Sequence, residues 1–196
     1  MQTQQRQIHL GSEALADARH ICALFDGPED AYSVVLPFVA EGLNDGDRVI
    51  YLTENPEQLR GRLRPHLDPA RTDSGQLDFR PWAQTYLVDG TFIGSRMLAY
   101  VRQALGEGTD LGYPATRLIG EMEWAQGDVC SLRDLVTYES GIDAILGRPP
   151  HTLVCAYDVR RHNASRIAAV LGVHRAAFVG GRLQRTNGNA VTTTPR

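Results

Sequence analysis

Short apolar runs alternate along this chain with stretches of helical periodicity. "HICALF" (20–25), "RVIYLTE" (48–54), "TRLIGEMEW" (116–124) and "HTLVCAYDV" (151–159) read as buried strands. "QLDFRPW" reads as a short strand closed by Pro81, and "HRAAFVGGRLQR" as a final strand or hairpin. Between them, "PEDAYSVVLPFVAEGL" puts Tyr32, Val35, Leu36, Val39 and Leu43 on one helical stripe, with Asp26 or the turn glycine as cap. Pro37 removes a backbone hydrogen bond there and is expected to kink the helix. "NPEQLRGRLRPHL" opens with Asn55 as N-cap and Pro56 at the first helical position. Phe92, Met97, Leu98, Val101 and Leu105 mark a further amphipathic helix. Ser131 and Asn163 stand where they would cap helices over "SLRDLVTYESGIDAIL" and "NASRIAAVLG". Residues 1–17 form a polar lead-in with a short helix over "SEALADA", residues 18–183 a single domain, and residues 184–196 a disordered tail.

This alternation predicts an α/β fold, a mostly parallel sheet with helices on both faces. Ligands of such sheets bind beyond the carboxyl ends of the strands. The positions to inspect are therefore Asp26 to Asp30, Thr53 to Asn55, Glu121 to Trp124 and Tyr157 to Arg161. Composition narrows the chemistry. At 196 residues with 42% hydrophobic and 22% charged side chains, the chain fits one ordinary globular domain. The polar start and the lack of a long apolar run lead us to expect a cytoplasmic protein without membrane contact. Net charge is -3, so direct nucleic-acid binding is not expected, although every charged residue after Asp158 is an arginine. Lysine is absent throughout, which removes the usual neutraliser of a β/γ-phosphate and any Schiff-base chemistry. Three cysteines without a CxxC pair argue against a disulfide framework.

The run "LPFVAEGLNDGDRVIYLTENPEQL" resembles the segment after the phosphate loop in RecA-like ATPases of the circadian-clock and DNA-repair type. Aligning the helix on Phe38 puts Ala31 and Tyr32 where that family carries its lysine and threonine. Asp26, Glu29 and Asp30 surround a helix N-terminus that would otherwise attract an anion. The phosphate loop is lost, and no ATPase or other enzymatic activity is expected. More specifically, "HICALFDGPED", "EGLNDGDRVIYLTE", "RLIGEMEWA" and "TLVCAYDVRR" resemble, in order and spacing, the MEDS family (methanogen/methylotroph, DcmR sensory domain). The resemblance implies a three-layer RecA-like fold used as a sensor of one-carbon or hydrocarbon-derived compounds in signalling or transcriptional regulation. Family members often carry a DNA-binding or kinase module. This chain leaves no room for one, so output through a signalling or transcription-regulatory partner is expected. RecA-like domains also self-associate edge to edge, which makes a homo-oligomer an expectation by analogy.

Alternation puts His20 and Cys22 on one strand face and Cys155 and Tyr157 on another. In a RecA-like strand order these faces adjoin. Three readings stay open: a buried structural cysteine pair, a soft-metal or haem site of His20, Cys22 and Cys155, and thiols that sense an electrophile or redox change. No resident cofactor is expected under the first reading; haem or a transition metal follows from the second. Glu121 and Glu123 share a face and would either pair with Arg160 or Arg161 or anchor a ligand, with Trp124 and Tyr157 as apolar walls. The expected ligand-binding set is His20, Cys22, Asp26, Glu121, Glu123, Trp124, Cys155, Tyr157, Asp158 and Arg161. His162 reads as a surface residue, and His66, His151 and His174 show no partner pattern.

Overall fold

The computed structural model describes residues 6–72, 74–126, 129–146 and 150–185. In chain order the elements are β1 (His9–Leu10), β2 (Glu13–Ala14), β3 (His20–Phe25), α1 (Pro28–Asn44), β4 (Arg48–Thr53), α2 (Pro56–Leu63) and α3 (Pro69–Thr72). They continue with β5 (Leu77–Pro81), α4 (Gly94–Asp110), β6 (Thr116–Glu121), α5 (Leu132–Leu146), β7 (Thr152–Asp158), α6 (Ala164–Val173), β8 (Ala176–Val179) and β9 (Arg182–Arg185). The seven-stranded sheet has the order β5-β4-β6-β7-β3-β8-β9, parallel except for β9. The four central strands are buried along nearly their whole length, as continuous apolar runs covered on both faces require.

Each face packs its own core. One contains Val35, Phe38 and Leu43 of α1 against Ile21, Ala23, Val49 and Ala156. The other contains Met97 and Val101 of α4 and Leu135 and Ile142 of α5 against Cys22, Leu24, Leu118 and Cys155. Strand alternation decides which residue enters which core, so each central strand splits its side chains between two environments. Asn55 and Asn163 cap their helices by accepting from Gln58 N–H and Arg166 N–H, and Ser131 Oγ accepts from Asp134 N–H.

Several expectations change. The segment expected to hold a helix over "SEALADA" includes the β1–β2 hairpin, closed by Gly11 at φ 59°. β9 takes in Gln184 and Arg185, expected in the tail; the rest of that tail lies outside the described residues. The helix α1 runs through Pro37, which sits on the exposed face where water reaches the carbonyl that loses its donor. His162 is buried, not a surface residue, with its ring edge-on to Tyr157. The arginines after Asp158 are largely matched with acids: Arg160 with Asp26 and Asp158, Arg175 with Asp143, Arg182 with Glu13, Arg185 with Asp17. No helix among the described residues is long and apolar enough to cross a membrane.

The turn from α1 into β4 is held from below by a fully buried arginine. Arg117 Nε donates to Asp47 (2.8 Å), Nη1 to Glu41 (2.6 Å) and the Phe38 carbonyl (3.1 Å), and Nη2 to Asp45 (2.8 Å). A Cβ on Gly42 would stand 2.8 Å from Arg117 Cδ, so the glycine makes room for the side chain. Removing one partner of such a network leaves buried charge uncompensated. We expect Arg117→Ala to lower stability by about 3–5 kcal/mol, measured by urea unfolding.

Candidate functional site

Two constellations lie on opposite faces of the same strands. The first is a cavity of about 310 Å³ at the carboxyl ends of β3, β4, β6 and β7. Crossing β7 and β6 to reach β4, the β3–α1–β4 connection makes the divergence at which α/β sheets bind ligands. Phe25, Ala31, Val35, Leu36 and Ala156 supply apolar wall, while Glu121, Glu123, Asp158, Thr53 and Arg161 bring polar groups to it. Ala31 and Tyr32, at the resemblance's lysine and threonine positions, both line this cavity.

The turn before α1 satisfies itself. Asp26 N–H donates to Asp30 Oδ2 at 2.9 Å, so a carboxylate occupies a donor that a phosphate loop would offer to its ligand. Gly27 caps α1 at φ 94°, and a Cβ there would fall 1.4 Å from Arg160 Nη2. Both the left-handed backbone and the arginine lying on it call for glycine at this position. The Asp26 side chain is exposed and pairs with Arg160, so it does not reach the cavity.

Thr53 hydroxyl donates to Glu121 Oε2 at 2.7 Å, and Asp158 N–H donates to Glu123 Oε1 at 2.9 Å. Among the described residues neither carboxylate makes an ion pair with Arg160 or Arg161, which corrects the expected ionic network. Arg160 turns instead to Asp26 and Asp158. Burial raises the Glu121 carboxyl above its ordinary range, and burial together with the Glu121 charge pushes Glu123 to about 7. Arg62 closes one wall, its guanidinium 3.8 Å above the Tyr32 ring and paired with Glu29. Trp124 and Tyr157 do not wall this cavity. Trp124 stacks on Tyr86 in the opposite core, and Tyr157 points into the second constellation.

That second constellation is buried between β3, β7, α5 and the end of α6. Cys22 and Cys155 are directly paired across β3 and β7, as alternation and the RecA-like order imply. His20 Nε2 lies 3.5 Å from Cys155 Sγ and 3.2 Å from Glu139 Oε2, and His20 Nδ1 lies 3.2 Å from Asp143. Cys155 Sγ donates to Glu139 Oε2 at 3.3 Å, and the Tyr157 hydroxyl donates to Glu139 Oε1. His174 stacks beside His20 with ring centroids 4.0 Å apart, and its Nε2 is 3.5 Å from Glu139 Oε2.

Burial opposes the charge on His20, yet the Asp143 and Glu139 carboxylates raise its pKa. Burial likewise opposes ionised Glu139, but His174, His20 and Tyr157 hold it down at about 2. His174 is pushed down to about 4 by burial and by the positive charge of His20. Cys22 and Cys155 are both held well above the ordinary thiol range by burial and by Glu139. As they stand, these buried thiols have little thiolate character to meet an electrophile.

Glu139 and His174 escaped the sequence reading. The signal for Glu139 was present: it falls on the core stripe of α5 with Leu135, Tyr138, Ile142 and Leu146, where a charge needs partners. His174, following α6 directly, carried no such mark. Its place is explained by the Nδ1 bond to the Val170 carbonyl at 2.8 Å, which folds the ring back under the helix end.

A mostly parallel seven-stranded sheet covered by helices on both faces, with its connections diverging between β3 and β4, defines a RecA-like domain. The chain belongs to the MEDS family, described as the MEthanogen/methylotroph, DcmR Sensory domain, with residues 19–175 matched. It is 27% identical over 165 residues to the transcriptional repressor DcmR of Methylorubrum extorquens, a stretch covering 81% of this chain and 59% of the repressor. The chain therefore spans about three-fifths of that relative. In fold it is similar to the flagellar accessory protein FlaH of Methanocaldococcus jannaschii, with a TM-score of 0.53 at 14% identity over 90% of this chain and 83% of that one.

The raised Glu123 carboxyl has a consequence for stability. The folded state keeps this proton up to about pH 7, whereas the unfolded chain releases it near 4.5. Between these values the folded state binds more protons, so the Glu123 contribution to stability falls as pH rises. Glu123→Gln should leave stability unchanged at about pH 4 and raise it by about 1–2 kcal/mol at about pH 8, measured by urea unfolding across that range.

Proposed function

We propose that the domain is a regulatory sensor whose ligand, a small one-carbon or hydrocarbon-derived molecule, binds in the cavity at the carboxyl edge of the sheet. The observation that carries this reading is the cavity itself. It occupies the phosphate-loop location, mixes apolar walls with a few polar anchors, and is sized for a small molecule. Membership of a sensory-domain family and similarity to a transcriptional repressor support a regulatory output, passed to a transcription-regulatory or signalling protein. Glu121, Glu123 and Asp158 disfavour anionic ligands, so neutral or cationic compounds suit the site better. Enzymatic turnover is not part of this reading: the cavity offers carboxylates but no activated nucleophile beside them.

The test is a nuclear magnetic resonance titration of the full chain with methanol, methylamine and short-chain alcohols, with formate as the anionic control. Shifts confined to residues around Ala31, Leu36 and Glu123 are expected for at least one neutral or cationic compound and none for formate. Ala31→Trp, which fills the cavity, should abolish them. Shifts that survive this substitution, or that arise only elsewhere, sink the assignment. Millimolar magnesium ATP should leave the melting temperature unchanged; a clear rise would show that the nucleotide site survives.

A further inference from the structure

We propose that His20, Glu139, Cys155 and His174 form a closed four-coordinate site for a divalent transition ion of the zinc class. One donor atom from each residue lies within 4.8 Å of all the others, and all four side chains are buried. Zinc bonds of 2.0–2.3 Å in a tetrahedron put ligand atoms about 3.3–3.7 Å apart. The recorded separations are 3.2 Å (His20 Nε2 to Glu139 Oε2), 3.5 Å (His174 Nε2 to Glu139 Oε2), 3.5 Å (Cys155 Sγ to His20 Nε2) and 3.3 Å (Cys155 Sγ to Glu139 Oε2). Four edges of the tetrahedron are thus close to their required lengths. Charge-assisted hydrogen bonds between nitrogen and carboxylate normally close to about 2.7–2.9 Å, so this spacing suits ligands around an ion better than ion pairs in contact.

The surrounding groups orient the donors as metal sites require. The Val170 carbonyl can only accept, so His174 Nδ1 carries a proton and Nε2 is the ring nitrogen turned toward Glu139 Oε2. His20 Nδ1 is engaged by Asp143, again leaving Nε2 for the centre. The Tyr157 hydroxyl takes Glu139 Oε1 and commits Oε2 to the imidazoles. Partners of this kind on the outer atoms of each ligand fix ring orientation in metal sites.

The charges also close. Binding releases the Cys155 thiol proton and the His20 Nε2 proton to solvent, leaving thiolate and carboxylate to neutralise a dication in a buried setting. Two imidazoles, one thiolate and one carboxylate suit zinc among common ions, with cobalt as a spectroscopic substitute. With all four positions supplied by protein, the ion would tie α5, β3, β7 and the end of α6 together rather than hold a reacting group. Asp143, half-exposed and beside His20, marks the route from the surface. Cys22 is outside the set, although it lies beside Cys155 in the sheet.

The test uses the full chain after chelator treatment. Zinc titration should show about one tightly bound equivalent per chain and a raised melting temperature. Cobalt should give the intense visible bands of a tetrahedral site together with a thiolate charge-transfer band. Cys155→Ser should remove that band and weaken zinc binding at least about 100-fold, while Cys22→Ser keeps both. Should a buried substitution fail to fold, the half-exposed Asp143→Asn keeps the question open to measurement, with an expected weakening of about tenfold. No zinc-dependent stabilisation, an octahedral cobalt spectrum, or tight binding undiminished in a folded Cys155→Ser protein would each overturn the proposal.

Discussion

The Glu139 carboxylate is the constraint around which the helical layer behind β3 and β7 is arranged. It has no exposure to solvent, and an isolated ionised carboxylate in such a place is too costly to persist. Four side chains from three other segments surround it: His20 from β3, Cys155 and Tyr157 from β7, and His174 just after α6. Each of those segments is therefore fixed in rotation as well as in position. Turning α5 by one residue would bring Ser140 or Tyr138 to the strands and leave His20 facing nothing of opposite charge. Apolar packing alone tolerates such slips far better than a buried charge with directional partners.

The opposite face carries the contrasting solution to burying acids. Glu121 and Glu123 have no cationic partner at their carboxylates among the described residues, but they stand at the sheet edge beside an open cavity. Partial solvation, the Thr53 hydroxyl and the Asp158 amide make them tolerable, and the residual strain appears as raised carboxyl pKa values. The turn before α1 has meanwhile given its Asp26 N–H to the Asp30 carboxylate, so the cavity differs from a phosphate site in its electrostatics and not only in its missing lysine.

Much of this was legible from side-chain periodicity. The strand-and-helix order and the Asn55 and Asn163 caps follow from patterns read along the chain, while the adjacency of Cys22 with Cys155 follows from alternation together with the RecA-like strand order that the resemblance implies. Trp124 and Tyr157 were misplaced because alternation says which residues share a face and not which face opens to solvent. Met122 and Trp124 turn away from Glu121 and Glu123, as their spacing requires, and that face proves to be the closed one. The N-terminal hairpin was hidden because two-residue strands leave no periodicity to read, and a left-handed glycine turn decides the matter. Glu139 and His174 were missed because their partners come from other elements, from Cys155 at a separation of 16 residues from Glu139 to His20 at 119, which spacing along one element does not reveal.

The two constellations are neighbours through shared elements, and this adjacency bears on how a sensor could pass its signal. On β7, Cys155 and Tyr157 face the Glu139 cluster while Ala156 and Asp158 face the cavity. A central parallel strand is hydrogen-bonded on both sides and has little freedom to move, so β7 is a partition rather than a lever. The helix α6 is better placed. Its leading loop carries Arg160 over Gly27 and Arg161 beside the cavity, and its far end carries His174 into the cluster. Ten helical residues span about 15 Å and move as a rigid unit. A displacement at Arg161 would bear on the leading end of this helix, and a shift of α6 as a body would alter the fit of His174 against His20 and Glu139. Energetic communication requires an element that both sites bias, and among the described residues α6 with its leading loop, like β3 with Phe25 at the cavity and His20 in the cluster, has one end at each.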